Sequence, residues 1–186
     1  MIRSLMACLG ISVCAFGADQ VLQFDPAATA IHWTLGTVLH TVHGTFQLKS
    51  GTIHFDPATG LASGQLVVNA LSGESGSEAR DNRMKQSILE AAKFADIVFA
   101  PDKFVGQVAP QGKSTVQVHG SFVLHGTGHD FTMPVEVEMK SGEARTKAHF
   151  SVPYIKWGLK NPSSFVLRVN DTVDVEIEAT ARLTGQ

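Results

Sequence analysis

The amino-acid sequence predicts an all-β protein of antiparallel strands, and three observations carry that expectation. Apolar and polar residues alternate through Val116, Val118, Phe122 and Leu124, then through Phe131, Met133, Val135, Val137 and Met139, on either side of His125-Gly126-Thr127-Gly128-His129-Asp130. A period of two puts every second side chain on one face, so these runs read as two strands joined by a Gly-rich turn. Turn signals also recur at short intervals: Asp25-Pro26, Asp56-Pro57 with Gly60, Pro101-Asp102, Pro110-Gln111-Gly112, Ser141-Gly142, Asn161-Pro162 and Asn170-Asp171. Short strands punctuated in this way indicate a sandwich or a barrel. Finally, charged residues make up only 17% of the chain while hydrophobic residues reach 44%, which suits strands whose outer faces carry Thr, Ser, Gln and His.

In chain order, the first stretch is set apart. Met1-Ile2-Arg3, an apolar run from Leu5 to Phe16 and small residues at Ala15 and Gly17 have the layout of a secretory signal removed after Gly17. Residues 1–17 are therefore expected to be a signal peptide and residues 18–186 one domain, placed in the periplasm. Cys8 and Cys14, the two cysteines of the chain, fall in the removed part, so no disulfide or zinc-thiolate site is expected. A lipoprotein anchor at Cys14 is the competing reading, disfavoured by the bulk of Val13 before it. No later segment approaches the roughly 20 apolar residues of a membrane span.

The remaining strands follow from alternation at Ile31/Trp33/Leu35, Val42 to Leu48, Ile53/Phe55, Leu66/Val68/Ala70, Ala148/Phe150/Val152, Phe165/Leu167/Val169 and Val173/Val175/Ile177/Ala179. One-faced strands must stack as two sheets or curl as one around the apolar side, and alternation does not choose between these. One segment breaks the rhythm. Ser75 to Ala92 predicts a helix, with Ser75 and Glu78 in capping-box spacing and Met84, Ile88 and Leu89 on a narrow apolar stripe. Such a helix suits a position across an opening or a sheet edge.

Candidate chemistry is sparse. The net charge of −2 and the lack of a basic stripe exclude a nucleic-acid-binding face. Hydrolase, phosphate-loop and dinucleotide signatures do not occur, and no cofactor is expected. Eight histidines raise a metal-binding or stress-response alternative through His40, His43, His125 and His129, because neutral imidazoles ligate zinc and copper. Against it, His32, His54, His119 and His149 fall on outer strand faces and read as neutral surface residues. Arg80 beside Asp81 is either a head-group contact at a cavity mouth or a structural brace for the helix start. The same pair is the only basis for a third alternative, an enzyme acting on a lipid-linked or quinone-like molecule. The loop Pro153 to Ser163 carries Tyr154 and Trp157, whose rings suit a portal or a buried anchor. Met84, Met133 and Met139 read first as core.

Taken together, Val42-His43-Gly44-Thr45-Phe46, Gly51-Thr52-Ile53-His54-Phe55-Asp56-Pro57, Arg80-Asp81-Asn82-Arg83-Met84 and Gly120-Ser121-Phe122-Val123-Leu124-His125-Gly126 with Pro134-Val135 resemble the YceI-like family of lipocalin-like, polyisoprenoid-binding exported bacterial proteins. The resemblance runs from about Val21 to Leu183. It implies an extended antiparallel barrel of about eight strands around a long apolar ligand, with a helical insertion near the opening, acting as a carrier and not as an enzyme. Barrels of that strand number either fill with side chains or hold one small ligand. The expected lining is Trp33, Phe46, Phe55, Val68, Phe99, Val118, Phe122, Phe131, Met133, Val135, Phe150 and Phe165, with Arg80 and Tyr154 as head-group partners. The sequence departs from the common family pattern between Ile88 and Pro101, where many relatives have paired aromatics and a proline. A homodimer is a further expectation, through exposed strand edges.

Overall fold

Alternating faces become an inside and an outside only when a sheet closes, and here it does. The structure, a computed structural model, describes residues 20–163 and 168–184. The expected signal segment, both cysteines and the Phe165/Leu167 part of one expected strand lie outside those residues. Eight strands follow one another: β1 (Gln20–Gly36), β2 (Thr41–Phe55), β3 (Ala62–Glu74), β4 (Asp96–Val105), β5 (Gly112–Leu124), β6 (Thr127–Lys140), β7 (Glu143–Val152) and β8 (Val173–Thr184). Each pairs antiparallel with its neighbour, and β8 returns to β1. The choice between two sheets and one is thus settled as a closed barrel, in which every strand has a neighbour on both sides.

Several local expectations are corrected. The β5–β6 connection is not the six residues from His125 to Asp130 but the pair His125-Gly126, both left-handed at φ 52° and 75°. A two-residue turn of that kind matches the right-handed twist of the flanking strands, so Thr127 to Asp130 already belong to β6. Asp25-Pro26 and Pro101-Asp102 do not separate strands. They lie in β1 and β4 where the register shifts between Phe24 and Thr29 and between Pro101 and Lys103, because an irregularity tolerates a residue that lacks a ladder donor. Asp25 fixes its bulge by accepting from the Ala27 amide at 2.9 Å.

The predicted helix is shorter and differently started. Helix α1 spans Glu78–Arg83 with Ser77 as its N-cap, and a π-helical segment, Met84–Ile88, continues it. Ser75 does not cap; its hydroxyl donates to Asp81. The wide turn is marked by the Leu89 amide reaching the Met84 carbonyl, and the helix stops before Glu90, which is left-handed at φ 46°.

Closure is incomplete, at the end bearing this helix and also on the floor side of the β3–β4 ladder, where only an isolated Leu61–Lys103 bridge continues it. Strands β6 and β7 pair only from Val135–Ala148 to Lys140–Glu143, and β3 and β4 only from Leu66–Phe99 to Asn69–Asp96. Loop 153–163 covers the first seam, where Trp157 stacks on His129 with centroids 4.2 Å apart. The helical insertion covers the second, with the Met84 side chain lying where a Cβ on Gly73 would be. The opposite end is a solid floor of Val116, Val137, Met139 and Ala144 backed by Leu22, Phe104 and Leu183.

Two features of the wall generate tests. Gly44 faces Trp33 across the β1–β2 ladder, and a Cβ there would lie 2.3 Å from the indole and 2.2 Å from the Glu74 carbonyl oxygen. Gly44→Ala should therefore cost about 1–3 kcal/mol through overpacking; an unchanged urea midpoint would refute the steric account. On the outer face, His119 sits between Asp102 at 2.6 Å and Asp130 at 2.7 Å. The hydrogen bond to Asp102 and the two negative charges hold its imidazole above the usual value. It is thus better suited to carrying charge than the neutral surface role expected of it. A raised folded pKa gives stability that is complete below the unfolded value of about 6.5 and fades as pH rises through the folded one. The stability gap between the wild type and His119→Gln should accordingly be widest in mild acid and narrow on the alkaline side, measured by urea titration across that range.

Candidate ligand-binding cavity

Because the inward faces are apolar and the floor is plugged, the middle and upper barrel enclose a hollow of about 660 Å³, within the roughly 300–1,000 Å³ usual for small-molecule pockets. Its wall is built from every other residue of the strands: Ile31, Trp33 and Leu35 from β1, Phe46 and Leu48 from β2, Leu66 and Val68 from β3, Phe99 from β4, and Val175, Ile177 and Ala179 from β8. The burial pattern carries the mark of a hollow centre. Trp33, Met133 and Phe150 keep 5–7% of their surface although they face inward, and among the described residues no large side chain is fully shielded.

Nine of the fourteen residues expected at the site line this space: Trp33, Phe46, Val68, Arg80, Phe99, Phe122, Met133, Phe150 and Tyr154. Four do not. Phe55 meets Phe104 edge-on at 5.9 Å near the floor, and Val118 and Val135 lie between the central and floor clusters. Phe131 is held behind the wall by Phe122 at 5.6 Å, Phe150 at 5.4 Å and Trp157 at 5.7 Å. Phe165 lies outside the described residues. Missed were the β8 row Val175, Ile177 and Ala179, whose alternation was visible in the sequence, and Arg83, Leu159 and Pro162, which only tertiary folding brings to the mouth.

Polar groups gather at that mouth. Thr37 and His40 come from the β1–β2 connection, Ser77, Arg80 and Arg83 from the helical insertion, and Tyr154 from the loop after β7. Arg80 donates through Nε to the Ser75 hydroxyl and through Nη2 to the Ser75 carbonyl, both at 2.7 Å. It therefore braces its own loop while bordering the cavity. Asp81 is buried under the helix with Ser75 and does not line the hollow. Arg83 reaches the Pro162 carbonyl at 3.1 Å, joining helix to loop. Tyr154 donates to the Asn170 carbonyl at 2.7 Å, and burial, reinforced by the Asp171 charge, pushes its phenol up to about 12. Trp33 Nε1 is buried without a partner, at a cost of about 1–3 kcal/mol.

A second polar cluster ties the two covers together. Lys160 bonds Glu90 at 2.9 Å, and His125 approaches the other Glu90 oxygen at 3.5 Å. The Lys160 hydrogen bond is the chief reason the Glu90 carboxyl is held below its ordinary value. As for the histidines, His43 Nδ1 lies 3.1 Å from the Thr34 hydroxyl, and His129 is stacked on Trp157. Among the described residues no group of three or more His, Cys, Asp or Glu side chains is placed to hold a metal ion. Nor, among those residues, is any helix long and apolar enough to cross a membrane.

An eight-stranded antiparallel barrel with a closed floor and a polar-rimmed apolar hollow defines a lipocalin-like protein. Its particular kinship is shown by sequence: the YceI-like domain matches residues 22–181, and the chain belongs to that family. Solved structures agree on the fold. It is similar to BcnA of Burkholderia cenocepacia (TM-score 0.68, 16% identity, 85% of this chain and 99% of that one). It is also similar to a polyisoprenoid-binding domain from Saccharophagus degradans implicated in plant cell wall breakdown (0.65, 15%, 88% and 98%). A third likeness is to a Campylobacter jejuni YceI protein (0.58, 16%, 74% and 80%). No curated protein shows a significant sequence match.

The brace at the mouth can be tested directly. Asp81→Ala removes the acceptor for Ser75 in a buried setting and should destabilise the protein by about 1–3 kcal/mol, read by thermal melting. A melting curve superimposable on the wild type would show that Asp81 holds nothing.

Proposed function

We propose that this protein is a non-enzymatic periplasmic carrier that sequesters an isoprenoid or other long-chain amphiphilic lipid in the barrel. The observation that supports this most is the hollow itself, whose wall is apolar except for Thr29, with its hydroxyl turned to the Asp25 carbonyl, and whose other polar groups gather at the mouth. That distribution suits a molecule with a long hydrocarbon body and one polar end. Trp33, Phe46, Val68, Phe99, Phe122, Met133 and Phe150 contact the body, while Arg80 and Tyr154 face the head group.

Burial supplies the driving force, at about 0.8 kcal/mol per methylene or about 8 kcal/mol gross for ten. Ordering a flexible chain subtracts from that sum; micromolar affinity corresponds to about 8.2 kcal/mol net, so a tail somewhat longer than ten carbons, or a head-group contact, brings binding into that range. Export would follow from the N-terminal segment, and kinship with a polyisoprenoid-binding domain favours an isoprenoid.

Native mass spectrometry of the purified protein, followed by organic extraction, should reveal a co-purifying lipid. Val68→Phe places extra volume in the hollow without a charge, and should lower lipid affinity by about tenfold, equivalent to about 1.4 kcal/mol, while leaving the melting temperature level or higher. Unchanged lipid content and affinity in that folded variant would remove the cavity from the binding site.

A further inference from the structure

We infer that the mouth end of the barrel is a docking surface for an anionic lipid bilayer, on which the β1–β2 hairpin tip inserts while the surrounding cations contact head groups. This rests on the carrier reading and adds where the cargo is exchanged.

The first observation is the tip itself. Val38 and Leu39 are 64% and 73% exposed, and they sit between Thr37 and His40, both at the cavity rim. The tip is fixed in place: the Val38 amide donates to the Arg168 carbonyl at 3.2 Å, and the Thr37 hydroxyl to the His40 carbonyl at 2.6 Å. Two large aliphatic side chains held in water on a braced turn, beside the opening of an apolar hollow, have no role in the core. Inserted into a bilayer boundary, they lose that exposure.

The second observation is independent and concerns charge. The chain is net negative, with 15 Lys and Arg against 17 Asp and Glu. The four connections at the mouth end, in their described residues 37–40, 75–95, 125–126, 153–163 and 168–172, reverse this with seven Lys and Arg against four Asp and Glu. Of those four acids, Asp81 is buried with Ser75 and Glu90 is paired with Lys160. Glu78 and Asp171 remain opposite Arg80, Arg83, Lys85, Lys93, Lys156 and Arg168. The rest of the molecule carries the excess of acid. Glu74 and Asp96, at the strand ends behind these connections, do not belong to them, and Asp96 is paired with Lys49; the positive excess of the connections themselves favours a negative surface.

The opposite end supplies the internal contrast. Leu61 and Val105 are also exposed there, at 62% and 66%, but the connections at that end, residues 56–61, 106–111 and 141–142, carry one charged residue, Asp56. Apolar exposure occurs at both ends, and Leu61 is bridged to Lys103; connections with a net positive charge occur only at the mouth. An apolar cargo leaving at that end enters hydrocarbon directly and avoids crossing water.

The test is vesicle flotation with the full-length mature protein, using vesicles of phosphatidylcholine alone and of equal parts phosphatidylcholine and phosphatidylglycerol. The wild type should float with the mixed vesicles, bind the neutral ones less, and weaken severalfold at about 1 M salt, where the Debye length is about 3 Å. Val38→Asp with Leu39→Asp should reduce binding about tenfold, a difference of about 1.4 kcal/mol. Lys156→Glu should weaken binding to the mixed vesicles, and Leu61→Asp should leave it intact. Lack of flotation by the wild type would overturn the proposal, as a protein receptor at the mouth would require. So would a loss on Leu61→Asp as large as that of the tip variant, or wild-type binding by both the tip variant and folded Lys156→Glu. Lipid content of the same samples is read in parallel by native mass spectrometry. Flotation by a lipid-free protein refutes the carrier reading alone, and a lipid-loaded protein that never floats refutes docking alone.

Discussion

One constraint governs this molecule: the inner circumference fixed by eight strands is wider than the side chains pointing into it can fill. Strand number sets barrel diameter, and alternation sends Val, Ile, Leu and Phe inward at every second position. At the floor, Met139 and Val137 meet Val116 and close the space. Higher up, Val68, Val175 and Ile177 line a gap, and the hollow follows from those residue sizes. Its apolar character follows from the same alternation that made the strands.

Closing a barrel around a hollow brings a second demand at the open end. Where β6 parts from β7 and β3 from β4, backbone and apolar side chains would face water. The chain meets this with its least regular segments. Trp157 lies over Phe122 and Phe131, and Met84 and Ile88 pack on the central cluster. The π-helical turn widens the helix where its side chains must reach inward, while Asp81 and Ser75 secure its start. The irregular parts of the fold are thus the parts that define its mouth.

The strands were legible in the sequence because alternation is local, and Phe122, Met133 and Phe150 could be assigned to an inner face from spacing alone. Height along the barrel was not legible. Phe55, Val118 and Val135 share the inner face with the lining residues but lie at or toward the floor, and register between distant strands decides that. Phe131 shows a different limit, since its place behind the wall depends on Trp157 folding back from a later loop. Asp25-Pro26 and Pro101-Asp102 misled in the same way, because a proline marks a missing donor and leaves open whether the chain turns or bulges there. The preference for a hollow over a filled centre came from family resemblance, not from periodicity.

The contact of Lys160 with Glu90 has a mechanical consequence. It links a residue of the loop that shields one seam to a residue just beyond the helix that shields the other, and Arg83 reaching Pro162 adds a second link nearby. The two flaps are thereby yoked: displacement of either tugs its counterpart, so the rim widens as one coupled frame and not as two independent doors.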